Sequence, residues 1–204
     1  MRQRSPATFG AILTVAAVCS VLAEAAATQA GRPALTVMVQ NDAGAPRDVV
    51  DHARVEVTRL FELIGVGLDW VERVPSTDHR LRVIALTTWE PPEKRLAPSV
   101  LGYTQTAPGH RGIRAYVFWR RVERASQTYT ADLEKVLAVA IAHEIGHMLL
   151  PNSKHDKFGL MRAPWDANHF RSASAGLLTF SSDSASRIRR QAETEQLALG
   201  PKTR

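Results

Sequence analysis

The chain holds one cysteine in 204 residues, and that residue, Cys19, lies in an apolar stretch near the N-terminus. A chain processed after that stretch carries no thiol, which excludes disulfides, thiolate metal sites and a cysteine nucleophile. Glycine and proline number only 12 and 11 and are scattered without period, so collagen-like and low-complexity architectures are excluded. No apolar run reaches the ~20 residues that a membrane-spanning helix needs. Charge of one sign is also lacking. Lys and Arg total 26 against 20 Asp and Glu, a net charge of +6, but the signs interleave, as in Arg54, Glu56, Arg59 and Glu62. Such interleaving reads as a solvated surface rather than a polyanion-binding stripe. Arg187, Arg189 and Arg190 are the densest basic cluster, and no aromatic side chain alternates with them. No nucleic-acid partner is therefore expected.

Hydrophobic residues make up 45% of the chain and charged ones 23%, ordinary values for a globular protein of one domain. The first thirty residues read as an export signal rather than as fold. Arg2 and Arg4 precede a fifteen-residue uncharged run, Phe9 to Ala23, and small residues with A-x-A spacing follow it. As a helix this run would span about 22 Å, short of a hydrocarbon core of ~30 Å. Residues 1–30 are thus expected to be cleaved and 31–204 to form a single catalytic-type domain. The chain is expected to be exported, either secreted or periplasmic, with no stable membrane anchor after cleavage.

Beyond the signal, strand and helix patterns alternate. Leu35 to Gln40 reads as a strand, and Asn41 to Pro46 as a turn. Asp48 is the expected cap of a helix reaching Ile64, because Val50, Ala53, Val57, Leu60, Phe61 and Ile64 recur at spacings of three and four. Leu68 to Val74 and Leu81 to Leu86 read as strands, Leu101 to Thr106 as a short edge strand, and Ala115 to Val122 as a further strand. Thr130 is the expected cap of a helix over Asp132 to Leu150, and a last helix is expected over about Ser184 to Leu197. The alternation predicts an α/β fold with a mixed sheet of about five strands.

The helix ending at Leu150 carries the chemistry. After Lys135 it is apolar on nearly every side except at His143, Glu144 and His147, the pattern of a buried helix holding three ionisable groups that need partners. Side chains at i and i+4 lie one turn apart on one face, so His143 and His147 can offer two ring nitrogens to one point. Glu144, about 100° further round, falls outside the ligand pair but within reach of water beside it. Residue frequencies put a chance H-E-x-x-H in a chain of this length at about one per cent or less. A zinc ion is the expected cofactor, with a third ligand from elsewhere. His155, just past a bend at Pro151 and Asn152, is the better placed. Glu193 and Glu195 are the alternative, although RQAETEQ reads as an exposed, charged tail.

His143-Glu144-Ile145-Gly146-His147, then His155, then Gly159-Leu160-Met161 resembles the zinc signature of the metzincin metalloproteases. The methionine is close-spaced as in archaemetzincin-like members, and the third histidine comes two residues later than in the standard signature. The order of strands and helices upstream is similar as well. The resemblance implies a zincin-like sheet with a backing helix, a buried active-site helix and a small C-terminal helical part. It implies zinc held by His143, His147 and His155, and Glu144 as general base. It also implies Met161 beneath the metal and a substrate-binding edge strand at Leu101, Gly102, Tyr103 and Thr104.

The function expected on these grounds is an exported zinc metalloendopeptidase acting on peptide or protein substrates. A non-catalytic zinc-dependent peptide-binding module and a zinc amidase acting on a non-protein amide are the alternatives. Tyr103, Tyr116, Tyr129, His110 and His169 are all open as oxyanion-stabilising groups, and Asp156 reads as a solvated loop acid, with an acceptor that supports His155 as the alternative. Oligomeric state is not legible in the sequence.

Overall fold

The computed structural model describes residues 32–73, 81–90, 96–105, 113–150 and 155–199. The expected export signal, His110, and the bend at Pro151 and Asn152 lie outside the described residues. From Pro33 onward the chain forms one compact unit.

Five strands form one mixed sheet. They are β1 (Ala34–Asn41), β2 (Gly67–Trp70), β3 (Leu81–Thr87), β4 (Gly102–Gln105) and β5 (Arg114–Phe118), in the spatial order β2-β1-β3-β5-β4. The pairs β1–β2, β1–β3 and β3–β5 are parallel, and only β4 runs antiparallel, against β5. The register Tyr103–Tyr116 and Thr104–Ala115 fixes which β4 side chains face the helices. This is the mixed α/β architecture expected from the alternation, and β4 is its edge strand.

Helix α1 (Arg47–Glu62) follows β1 and buries Val50, Ala53, Val57, Leu60 and Phe61, the stripe read from the sequence. Its cap is Pro46 rather than Asp48, which instead sits in the first turn where an acid favours the helix dipole. The expected strand Ala115 to Val122 is corrected. β5 stops at Phe118 and α2 (Trp119–Tyr129) begins at once, burying Trp119, Val122 and Ala125 at helical spacing. Thr130 ends α2 in the left-handed region (φ 50°, ψ 49°) and does not cap the next helix. Asp132 is the cap residue of α3 (Leu133–Leu149), and its backbone N–H donates to Ser174 Oγ.

Helix α3 is surrounded. Thirteen of its seventeen residues are buried, as all-round apolarity predicts. It packs against α1, α2, β4 and β5, and also against α4 (Ala167–Ser174) and α5 (Ser182–Leu199). Each fully buried Leu, Ile or Val contributes about 1.5–3 kcal/mol, so Leu137, Ile141, Ile145 and Leu149 fix α3 rigidly against the sheet. No helix among the described residues is long and apolar enough to cross a membrane.

Helix α4 was not foreseen. Asp166 caps it through the Asn168 and His169 backbone N–H groups, and the His169 ring closes the box against the Asp166 backbone. The α5 segment is corrected as well. Glu195 is no exposed tail acid, because it lies 6% exposed in a buried ion pair with Arg82 of β3 at 2.8 Å.

Candidate metal centre

The helix α3 presents His143 and His147 from successive turns, and His155 stands against them. His147 Nε2 lies 3.0 Å from His143 Nε2 and 3.2 Å from His155 Nε2. Among the described residues these three are the one group of His, Cys, Asp or Glu side chains close enough to share an ion. Glu193 and Glu195 are not in it. Glu193 pairs with Arg189, and Glu195 with Arg82.

The donor set fits a metal. His143 Nδ1 lies 2.8 Å from the Leu160 carbonyl oxygen, which can only accept, so Nδ1 carries the proton and Nε2 turns its lone pair inward. Two ligand nitrogens ~2.05 Å from a tetrahedral ion stand about 3.3 Å apart, close to the spacings seen. Burial, reinforced by the neighbouring His147, pushes the His143 ring down to about 3. Burial and then His155 push His147 down to about 4, and burial lowers His155 too. All three rings are therefore neutral near pH 7, the state in which imidazole binds a metal. The cluster is positioned to hold one metal ion.

Met161 is 2% exposed and packs against Gly146, between the two helix histidines in sequence. Its place depends on Gly146, since a Cβ at Gly146 would overlap the Met161 Sδ and come within 2.9 Å of its Cε. Gly159 turns the chain at φ +72°, and a Cβ there would come within 2.8 Å of Ser181 N and Thr179 O. That turn lets Leu160 donate its N–H to Thr179 O while its carbonyl receives His143.

Asp156 is corrected from a solvated acid to an anchor. It accepts from Ser181 Oγ at 3.1 Å and from Ser184 Oγ, and Arg187 stands 3.9 Å away. Its own N–H donates to Met161 O, so the segment from His155 to Met161 is closed at both ends and fastened to the start of α5. Arg187 also pairs with Asp183 and is thereby engaged.

Glu144 is 4% exposed and stands over the edge strand. The sequence provides no partner for it besides water at the metal. The structure supplies one, because the Thr104 hydroxyl donates to Glu144 Oε2 at 2.6 Å. Burial raises the carboxyl to about 7, a rise that the Thr104 hydrogen bond only moderates. Gly102 makes room for this approach, since a Cβ there would lie 2.6 Å from Oε1 and 2.8 Å from Cγ. Two of the four expected edge-strand residues, Gly102 and Thr104, therefore contact Glu144, and Leu101 and Tyr103 line the same cleft.

That cleft has a volume of about 660 Å³ and runs past the three histidines, between β4 and the segment 162–165. Tyr116 packs on Trp89, Tyr129 stacks on Phe170 and His169 pairs with Asp166, so none of these three joins the cluster. Trp165 was missed by sequence reading. It lies edge-on to His143 with ring centroids 5.3 Å apart, and an aromatic after the Met161 turn carries no periodic signal. No family model matches the chain, and no curated protein matches it.

Proposed function

We propose that the protein is a zinc-dependent metallopeptidase of metzincin type, exported from the cell. The observation that carries this reading is the placement of Glu144 beside three convergent imidazole nitrogens in a cleft bordered by an edge strand. His143, His147 and His155 would hold the ion through Nε2. Zinc, when bound, supplies Lewis acidity for a carbonyl and for water.

The remaining work falls to the chain itself. β4 is the last strand of the sheet, and its outer backbone can hold an extended peptide by strand addition. Thr104 occupies Glu144 Oε2 and leaves Oε1 to take a proton from water and to return it to a leaving amine. A carboxyl near pKa 7 suits both directions of that transfer at neutral pH. A binding module has no use for such a group, which favours hydrolysis over the non-catalytic alternative; an amidase would share this chemistry, and the edge strand is what favours a peptide.

The test pairs zinc stoichiometry with cleavage of an unbiased peptide library. The wild type is expected to bind close to one zinc and to cleave. His143→Ala and His147→Ala should abolish tight binding, and His155→Ala should weaken it strongly. Glu144→Gln should keep zinc and fold but lose ~10²–10⁴-fold in rate. Full-rate cleavage by Glu144→Gln would remove Glu144 from the mechanism, and no cleavage by the zinc-loaded wild type would sink the peptidase reading. Export belongs to the same proposal, and recovery of exported protein with Met1 intact would remove signal cleavage from it.

A further inference from the structure

The cleft beside the histidines is mostly apolar. Leu96, Val100 and Leu101 line one side, and Ala163, Pro164 and Trp165 line the other. Among the described residues one arginine or lysine interrupts this lining, Arg162, immediately after Met161. Its backbone is held in place, since its N–H donates to Gly159 O at 3.1 Å and it forms a bridge with Asp156. Its guanidinium has no carboxylate partner among the described residues. The acid nearest it in the backbone bridge, Asp156, is engaged by Ser181, Ser184 and Arg187. Among the described residues the one acid lining the cleft, Glu144, has Oε2 taken up by Thr104.

An arginine always carries its charge and presents a planar fork of donors that matches a carboxylate in two parallel hydrogen bonds. Placed in a cleft with apolar walls it is screened less than at an open surface, and its field is focused into the space a substrate enters. Among the described residues no carboxylate pairs with this guanidinium, so an anion arriving with a ligand can complete it.

We propose that Arg162 is a specificity determinant that selects peptides presenting a carboxylate within the cleft. This rests on the reading of the cleft as a peptide-binding site, but not on hydrolysis. The carboxylate has two sources, an acidic side chain within a peptide or the free end of one, and both present the same group to the guanidinium.

The test measures binding by calorimetry on zinc-loaded protein in a Glu144→Gln background, so that peptides stay intact. Three alanine-based pentapeptides serve as probes. The first is blocked at both ends with a central aspartate, the second is its asparagine counterpart, and the third has central alanine and a free C-terminal carboxylate. At least one carboxylate peptide should bind about tenfold or more tighter than the asparagine peptide, with the preference shrinking as salt rises. The aspartate arm assigns the source to a side chain and the free-end arm to a terminus. Arg162→Gln should erase the preference, and Arg162→Lys should retain part of it, at unchanged zinc stoichiometry.

Equal binding of all three peptides overturns the proposal. So does a preference that survives in Arg162→Gln, which would assign the carboxylate to the metal. An Arg162-dependent preference in a protein whose wild type cleaves nothing would uphold this inference while the peptidase reading fails.

Discussion

Gly146 and Met161 are fifteen residues apart in sequence and in direct contact in the structure, and each sets the limits on the other. Glycine in a helix interior costs about 1 kcal/mol relative to alanine, so its presence in the middle of α3 needs a reason. The Met161 sulfur occupies the space that a methyl group would fill. Gly146→Ala is therefore expected to destabilise the protein, because overpacking at about 1–3 kcal/mol outweighs the gain in helix propensity. In a Met161→Ala background the obstruction is gone, and the same substitution should stabilise by about 1 kcal/mol. Denaturant titrations of the four proteins check this sign reversal; two effects that simply add would show that the contact does not constrain Gly146. At this scale the sequence disclosed the grouping of the three histidines, because helix periodicity and motif spacing are local signals. It did not disclose that Thr104 receives Glu144, forty residues away, or that the Leu160 carbonyl orients His143. Those partners depend on which strand lies under the helix, which no local pattern encodes.

Among the elements, α1, α3, β1 and β3 were legible since each buries a continuous stripe or run. β5 and α2 were misread as one strand because Tyr116, Val117, Phe118 and Trp119 all favour extended backbone, and the helix shows only in the Trp119, Val122, Ala125 spacing. α4 is shorter, and its signal was the Asp166 cap with histidine where a glutamate is usual at the third position. The most consequential link between elements is the one from Asp156 to the start of α5. His155 has no helix of its own, so its position is inherited from that anchor and from the Gly159 turn. Asp156→Ala is expected to leave the α3 pair intact, while metal affinity falls by about 10–100-fold, the usual loss when a group supporting a ligand is removed. Chelator competition measures this directly. An unchanged affinity would show that His155 is placed without the anchor, and a loss of the fold, seen by circular dichroism, would make the anchor a folding element instead.

On the scale of the whole molecule, one polar network ties together the parts that carry the site. Glu56 of α1 accepts from Lys135 Nζ of α3 at 2.9 Å and from Arg59 Nε at 2.9 Å, and Arg59 in turn donates to Gly176 O between α4 and α5. Burial alone would raise the Glu56 carboxyl, but the hydrogen bonds from Arg59 and Lys135 outweigh it and hold the group below its ordinary value of 4.5. A carboxyl lowered in the folded state stabilises the protein fully above its unfolded value, and that contribution disappears as pH falls through the folded value. Glu56→Gln keeps the shape and removes the charge. The variant is expected to be less stable than the wild type by about 1–3 kcal/mol at neutral pH, where Arg59 and Lys135 lose a charged acceptor. The difference should begin to narrow near pH 4.5 and vanish once the wild-type carboxyl is itself protonated. Urea midpoints of both proteins, taken from about pH 7 down to about pH 3, trace this convergence. A gap of constant size over that range would show that Glu56 contributes through packing alone, and that the tie between α1, α3 and the C-terminal helices is not ionic.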